Sequence, residues 1–208
     1  MRLSRHISLC SIIALATLLV VGCSSGNHHR RIDVAALEQW LEPGDLVFRR
    51  GTGVVGHIVT SVDSRGEYSH VGIAICKSGA WHVVHAVPYE PEFEGDYDRV
   101  KCESLEAFVA HYPKAAIGHY RVAAERAIRT KAADNALRIS NEGRRFDHAY
   151  NLEDSTEFYC TELVEYLYSL SGLRLSEGRR TVVNFPSLSG EYIMPSDITE
   201  SELVIPIY

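Results

Sequence analysis

The sequence has no two cysteines three positions apart and no His-x-x-x-His spacing. The common tetrahedral metal sites are therefore not encoded. No block of lysine or arginine stands out, and the formal net charge is -6. A nucleic-acid footprint is disfavoured on both counts. There is no internal repeat and no low-complexity tract, which excludes solenoids and tails. Only one long apolar run occurs, at the very start. What remains is an ordinary globular mixture, 46% hydrophobic and 23% charged in 208 residues. That length fits one domain with one sizeable core.

The opening residues read as an address. Arg2, Arg5 and His6 precede an apolar run over 7–21. The run is short for a bilayer span and suits a secretory h-region. It ends in Val20-Val21-Gly22-Cys23, which resembles a bacterial lipoprotein cleavage box. In such a box the cysteine is acylated and becomes the new N-terminus, and buried acyl chains hold the protein at the membrane. Expected units are a signal peptide over 1–22, a lipidated tether over 23–32 beginning at Cys23, and a folded domain over 33–208. Ser24 in place of Asp resembles outer-membrane sorting. A plain signal peptide or an uncleaved anchor helix is the alternative. Removal of Arg2 and Arg5 would leave the mature chain about two units more acidic.

Three cysteines stay in the domain: Cys76, Cys102 and Cys160. An odd number in an oxidising compartment implies a free thiol. A Cys76–Cys102 disulfide is open on sequence grounds.

The domain alternates helical and strand patterns. Helices are expected over 34–41 (capped by Asp33), 104–111, 123–141 and 158–170, with a helix or loop over 51–61. Strands are expected over 45–48, 69–75, 81–87, 117–122 and 203–205, the second and third joined at Lys77-Ser78-Gly79. An acidic loop is expected over 88–98, and polar loops over 144–156 and after Gly172. The class is α+β with a mostly antiparallel sheet.

Cys160 is the candidate nucleophile. It lies early in its helix, about a turn after Asp154, Ser155 and Thr156, any of which can cap. Cys160, Leu163, Val164 and Leu167 share one helix face. The helix N-terminus favours a thiolate and supplies N–H groups for an oxyanion. The bland reading is a small buried residue in an apolar stripe. His70 is the candidate base. With Gly72 and Ala74 it shares a strand face of small residues, leaving room for a layer such as the Cys160 helix. A hairpin turning at Lys77-Ser78 would pair Ile75 with Ala80 and His70 with His85. One imidazole would then take the thiol proton and the other would fix its tautomer. His82 is the rival on the opposite face. His57, His111, His119 and His148 read as structural or solvated.

Four segments then carry a resemblance: Glu42-Pro43-Gly44-Asp45-Leu46-Val47-Phe48, Tyr68-Ser69-His70-Val71-Gly72-Ile73, Val84-His85-Ala86 and Phe158-Tyr159-Cys160-Thr161-Glu162-Leu163-Val164. Their order resembles the permuted papain-like amidases, the YaeF/YiiX-like branch of the NlpC-type cell-wall hydrolases. Pro195-Ser196-Asp197 resembles the family's C-terminal region. The resemblance implies a permuted papain-like fold, an antiparallel sheet packed on the Cys helix, and a thiol hydrolase. It implies Cys160 as nucleophile, His70 as base and His85 as the orienting third residue. Many unpermuted members carry a Tyr before the Cys helix. Arg145-Phe146-Asp147 offers no match, leaving Tyr68 or Tyr159 as substitutes.

The expected function is amide hydrolysis through an acyl-thioester, on peptidoglycan-type peptides, at the bacterial cell envelope. The expected site is the outer membrane facing the periplasm, with the membrane contacted through the lipid (palmitate-type) anchor. One alternative is a lipid or acyl-group hydrolase or acyltransferase using the same Cys–His site, as lecithin:retinol acyltransferase relatives do. Another is a non-catalytic envelope binding module. Thiol and imidazole suffice for the chemistry, so no cofactor and no metal are expected, and the partner is a cell-wall peptide or lipid substrate.

Overall fold

A computed structural model describes residues 33–63, 65–112, 115–184 and 189–207. The signal, lipobox and tether readings, Cys23 included, lie outside the described residues. No described helix is long and apolar enough to cross a membrane.

The elements run in chain order: α1 (Val34–Glu38), β1 (Leu46–Arg49), α2 (Val54–Val62), β2 (His70–Lys77), β3 (Ala80–Val87), β4 (Arg99–Ser104), α3 (Leu105–Ala110), β5 (Ile117–Val122), α4 (Arg126–Asn141), α5 (Cys160–Ser169), β6 (Thr181–Val183), β7 (Gly190–Tyr192), α6 (Pro195–Thr199) and β8 (Val204–Pro206). The main sheet has six strands in the order β4-β3-β2-β1-β5-β8, and every neighbour pair is antiparallel. β6 and β7 form a separate ribbon. The class is α+β, as the sequence pattern required. The last strand, expected over 203–205, runs one residue further to include Pro206. β8 is an edge strand, where a missing N–H costs no ladder bond.

Alternation along the strands divides the core in two. Phe48, Val71, Ile73, Val84 and Val100 face one side, where they meet Ala136 and Ile139 of α4 and Leu163, Val164 and Leu167 of α5. Each fully buried branched side chain there contributes roughly 1.5–3 kcal/mol. Val47, Ala74 and Val83 face the other side and meet Leu37 of α1 and Leu105 and Phe108 of α3. The α5 stripe therefore packs on the Val71/Ile73 face. The expectation that the Cys helix lies over the small-residue His70 face is corrected. The bulky face needs the larger cover and takes the two long helices, while the small face admits the short α3.

The β2–β3 register is also corrected. Lys77 pairs with Ala80 and Ile73 with Val84, two positions away from the expected register. The cause is the turn: Ser78 and Gly79 both have positive φ, 53° and 81°, which suits a two-residue primed hairpin turn. A two-residue shift preserves the side-chain face. Gly72 consequently lies beside His85, and a Cβ at 72 would be 2.3 Å from Val83 Cγ1 and 3.0 Å from His85 Cβ. Only glycine fits there.

The sequence pattern assigns no element to 99–103 and opens a helix at Ser104, yet Arg99–Ser104 form β4. It pairs along its length with β3, from His82↔Ser104 to Val87↔Arg99. Ser104 then caps α3, its hydroxyl accepting from the Ala107 N–H at 3.1 Å. Cys76, Cys102 and Cys160 are free thiols.

The Pro43-Gly44-Asp45 segment is an anchor. Asp45 is fully buried and accepts from His119 Nε2 (2.7 Å), Arg121 Nε (2.9 Å) and the Glu42 N–H (2.9 Å). Burial alone would raise its pKa, but these donors hold the carboxyl below its ordinary value. His119 is thus structural. Gly44 (φ 94°) accepts through its carbonyl from the Tyr168 hydroxyl at 2.6 Å, joining α5 to β1.

Candidate active site

Cys160 is the first residue of α5, and Tyr159 is its N-cap. The caps expected at 154–156 are used elsewhere: Asp154 accepts from the Thr156 N–H at 2.8 Å. Glu162, buried in the first turn, accepts from the Tyr159 N–H at 3.2 Å. Burial pushes its carboxyl up to about 8, against that bond.

His70 opens β2 and is 8% exposed. Its Nε2 lies 2.8 Å from Nδ1 of His85, which is fully buried. The structure therefore brings the two predicted histidines together, diagonally rather than face to face. His85 Nε2 in turn lies 2.8 Å from Glu103 Oε1, a charge contact without hydrogen-bond alignment. A carboxylate at that distance favours the proton on Nε2 of His85. Nδ1 of His85 then accepts from Nε2–H of His70. This chain of choices leaves Nδ1 of His70 unprotonated, as a base must be. His82, the rival, stays apart with its ring on the Ala80 carbonyl.

His70 and Cys160 line one cavity of about 140 Å³. They reach it from opposite faces of the sheet, at the end of β2. Among the described residues no hydrogen bond joins thiol to imidazole. Burial pushes the Cys160 thiol up to about 11, and the nearby backbone amides of Val71, Thr161 and Cys160 only partly oppose it. The expectation of a net-depressed thiol is corrected: desolvation outweighs the helix terminus. Burial, aided by the positive charge of Arg49, holds His70 well below the usual imidazole range, and His85 is lowered for the same two reasons. Burial thus favours a neutral thiol beside a neutral imidazole at rest.

Two residues escaped the sequence reading. Glu103 sits on β4, which was not recognised as a strand; the alternation Lys101-Cys102-Glu103 was its local signal. Tyr150, at φ 53°, lines the cavity near Cys160. Its conformation is held where Asp147 accepts from the Ala149 and Asn151 N–H groups, and burial, with the charge that Cys160 would carry, pushes its phenol up to about 12. Of the expected tyrosines, Tyr159 lines the cavity and accepts from the Ile193 N–H at 3.1 Å. Tyr68 lies in the core against Phe48 and Tyr120.

Behind the histidines Glu90, Glu103 and His111 converge. Arg49 Nη2 lies 2.6 Å from Glu90, and Lys101 Nζ lies 3.9 Å from Glu90 and 3.8 Å from Glu103. Two fixed cations already balance the two carboxylates, so this set does not fit a divalent metal. His111, read as structural or solvated, adds a 3.1 Å contact to Glu103.

A family model describing the permuted papain-like amidase enzymes, YaeF/YiiX, C92 family, matches residues 40–184. The chain belongs to that family. It is a family of cysteine peptidases and amidases, so the chain is a papain-like cysteine hydrolase. The match contains His70, His85, Glu103 and Cys160. Among solved structures, one described as the metalloprotein yiiX from Escherichia coli O157:H7 superposes with a TM-score of 0.64 at 19% identity, covering 80% of this chain and 96% of that one. That likeness supports the permuted papain-like fold. No curated protein matches.

Proposed function

We propose that this family member is a lipid-anchored envelope thiol hydrolase that cleaves amide bonds through an acyl-thioester on Cys160. The observation that carries this reading is the shared cavity: Cys160 at a helix start, and His70 with its Nε2 committed to His85. His70 Nδ1 takes the Cys160 proton as sulfur attacks the carbonyl carbon. The transfer accompanies attack, because neither partner is charged at rest. The Thr161 and Val71 amides lie near the sulfur and can face the oxyanion. Collapse breaks the C–N bond, and the leaving amine takes the proton from His70. Water then attacks the thioester, gives a proton to His70, and releases the acid; that proton returns to sulfur. His85 orients His70 throughout.

The apolar run and Val20-Val21-Gly22-Cys23 support export and acylation at Cys23. An outer-membrane site facing the periplasm follows, with peptidoglycan-type peptides as the substrate at hand. The experiment is hydrolysis of muropeptides by the full chain and by Cys160→Ala, with mass-spectrometric trapping of the acyl-enzyme. Loss of both signals is expected. Full activity of Cys160→Ala on a substrate that wild type cleaves would overturn the reading. Radiolabelled palmitate should mark wild type and not Cys23→Ala; equal labelling would remove the anchor.

A further inference from the structure

α2 is an apolar helix without a fully buried residue. Its Val55, Ile58, Val59 and Val62 follow i, i+3, i+4, i+7 spacing, and all four line the cavity that holds Cys160. The opposite wall is also apolar, with Ile193 and Met194. That wall is fixed from behind: Ser196 donates its N–H to Asp63 at 3.0 Å, and Asp197 accepts from the Met194 N–H at 2.9 Å. Among the described residues no Asp, Glu, Lys or Arg lines the cavity. An amphipathic helix ordinarily turns its apolar stripe to a core; this one turns it to the reacting sulfur.

Two magnitudes set the occupant. A cavity of about 140 Å³ matches the ~150 Å³ apolar cavity that accepts benzene, a six-carbon ligand. A charged group placed there would meet no counter-charge, and an unpaired buried ion is strongly disfavoured. A free α-ammonium seated within this lining is therefore disfavoured; the carboxylate of Glu90 belongs to the neighbouring cleft, which shares Val55, Ser69, His70 and Pro88 with it.

We infer that the acyl side of the substrate is an uncharged aliphatic chain, held for about its first six carbons between α2 and the 193–194 wall. The inference rests on Cys160 as nucleophile and names the substrate class of that site. Among amides at the envelope it favours those whose acyl part carries no charge beside the scissile carbonyl, such as an N-acylated alanine, over those with a free α-amine there.

The test is the rate of Cys160 acylation in the full-length protein by 4-nitrophenyl esters of acetate, butyrate, hexanoate and octanoate, read as nitrophenol release and as adduct mass. Expected is a rise of about fourfold per methylene, levelling beyond six carbons. The leucine ester with a free amine should react far more slowly than hexanoate. Ile58→Asp, at a half-exposed position tolerant of charge, should lower hexanoate acylation much more than acetate acylation. A flat chain-length profile with Cys160 still acylated, or a leucine ester as fast as hexanoate, overturns this inference and leaves the thiol-hydrolase reading intact. No Cys160 adduct from any ester overturns both.

Discussion

The charge state of Cys160 decides how the site works, and alkylation by iodoacetamide reads it directly. With the thiol pushed up to about 11, the thiolate fraction at pH 7 is about 10⁻⁴, against about 3% for a free thiol of pKa ~8.5. That is a deficit of about 300-fold. A more basic thiolate is intrinsically more nucleophilic; with a Brønsted slope of about 0.4–0.5 this recovers roughly 13-fold. Cys160 should therefore label about 25-fold more slowly at pH 7 than a cysteine in an unstructured peptide, whose thiol pKa is ~8.5, in the same tube. Its rate should climb about tenfold per pH unit to pH 10 without a plateau. His70→Ala should change labelling at pH 7 by less than about threefold, because the neutral imidazole does not hold a thiolate, while substrate hydrolysis falls by at least about 10²-fold. The assay is adduct mass at Cys160 across pH 5–10. A plateau below pH 8 that vanishes in His70→Ala would demonstrate a resting thiolate–imidazolium pair and refute this reasoning.

Glu103→Gln should lower kcat by about 10²-fold with little change in KM, less than the ~10⁴ lost when a directly bonded orienter is neutralised; steady-state kinetics with circular dichroism as a folding control checks this, and an unchanged kcat would leave Glu103 outside the proton chain. Glu162 has a folded pKa of about 8 against an ordinary 4.5, so its contribution to stability is complete below about pH 4.5 and is lost as pH rises through about 8. Urea midpoints of wild type should therefore fall between pH 5 and 9 more than those of Glu162→Gln, and parallel profiles would contradict the assignment. Gly72→Ala should destabilise by about 1–3 kcal/mol through overpacking against Val83 and His85, measured by urea unfolding; an unchanged midpoint would contradict the close approach of β2 and β3.

Much of the architecture is written locally. Asp33 accepts from the Ala36 N–H at 3.3 Å, as a cap should. The strand expected over 117–122 is β5 to the residue. The ordered segments around Asp45, His70, His85 and Cys160 indicate the family before any coordinate. Such features are legible because periodicity and capping involve neighbours in the chain. β4 was missed because Arg99, Lys101 and Glu103 look like surface residues; they are strand residues only because β3 supplies partners and because Arg49, Glu90 and His85 surround the charges. The His70–His85 meeting was foreseen for the right face and the wrong register, since two positive-φ residues at the turn decide the offset.

The antiparallel α+β class, the hairpin bearing both histidines and a helix with Cys160 near its start follow from local sequence alone. Tertiary structure decided that α5 covers the branched face of the sheet, that Glu103 and Tyr150 come to the histidines and the sulfur, and that α2 turns its apolar stripe to the cavity. It also decided the protonation of the pair. A helix terminus is a local property, but the loss of water around Cys160 requires every wall of the cavity, and here that loss is the larger effect.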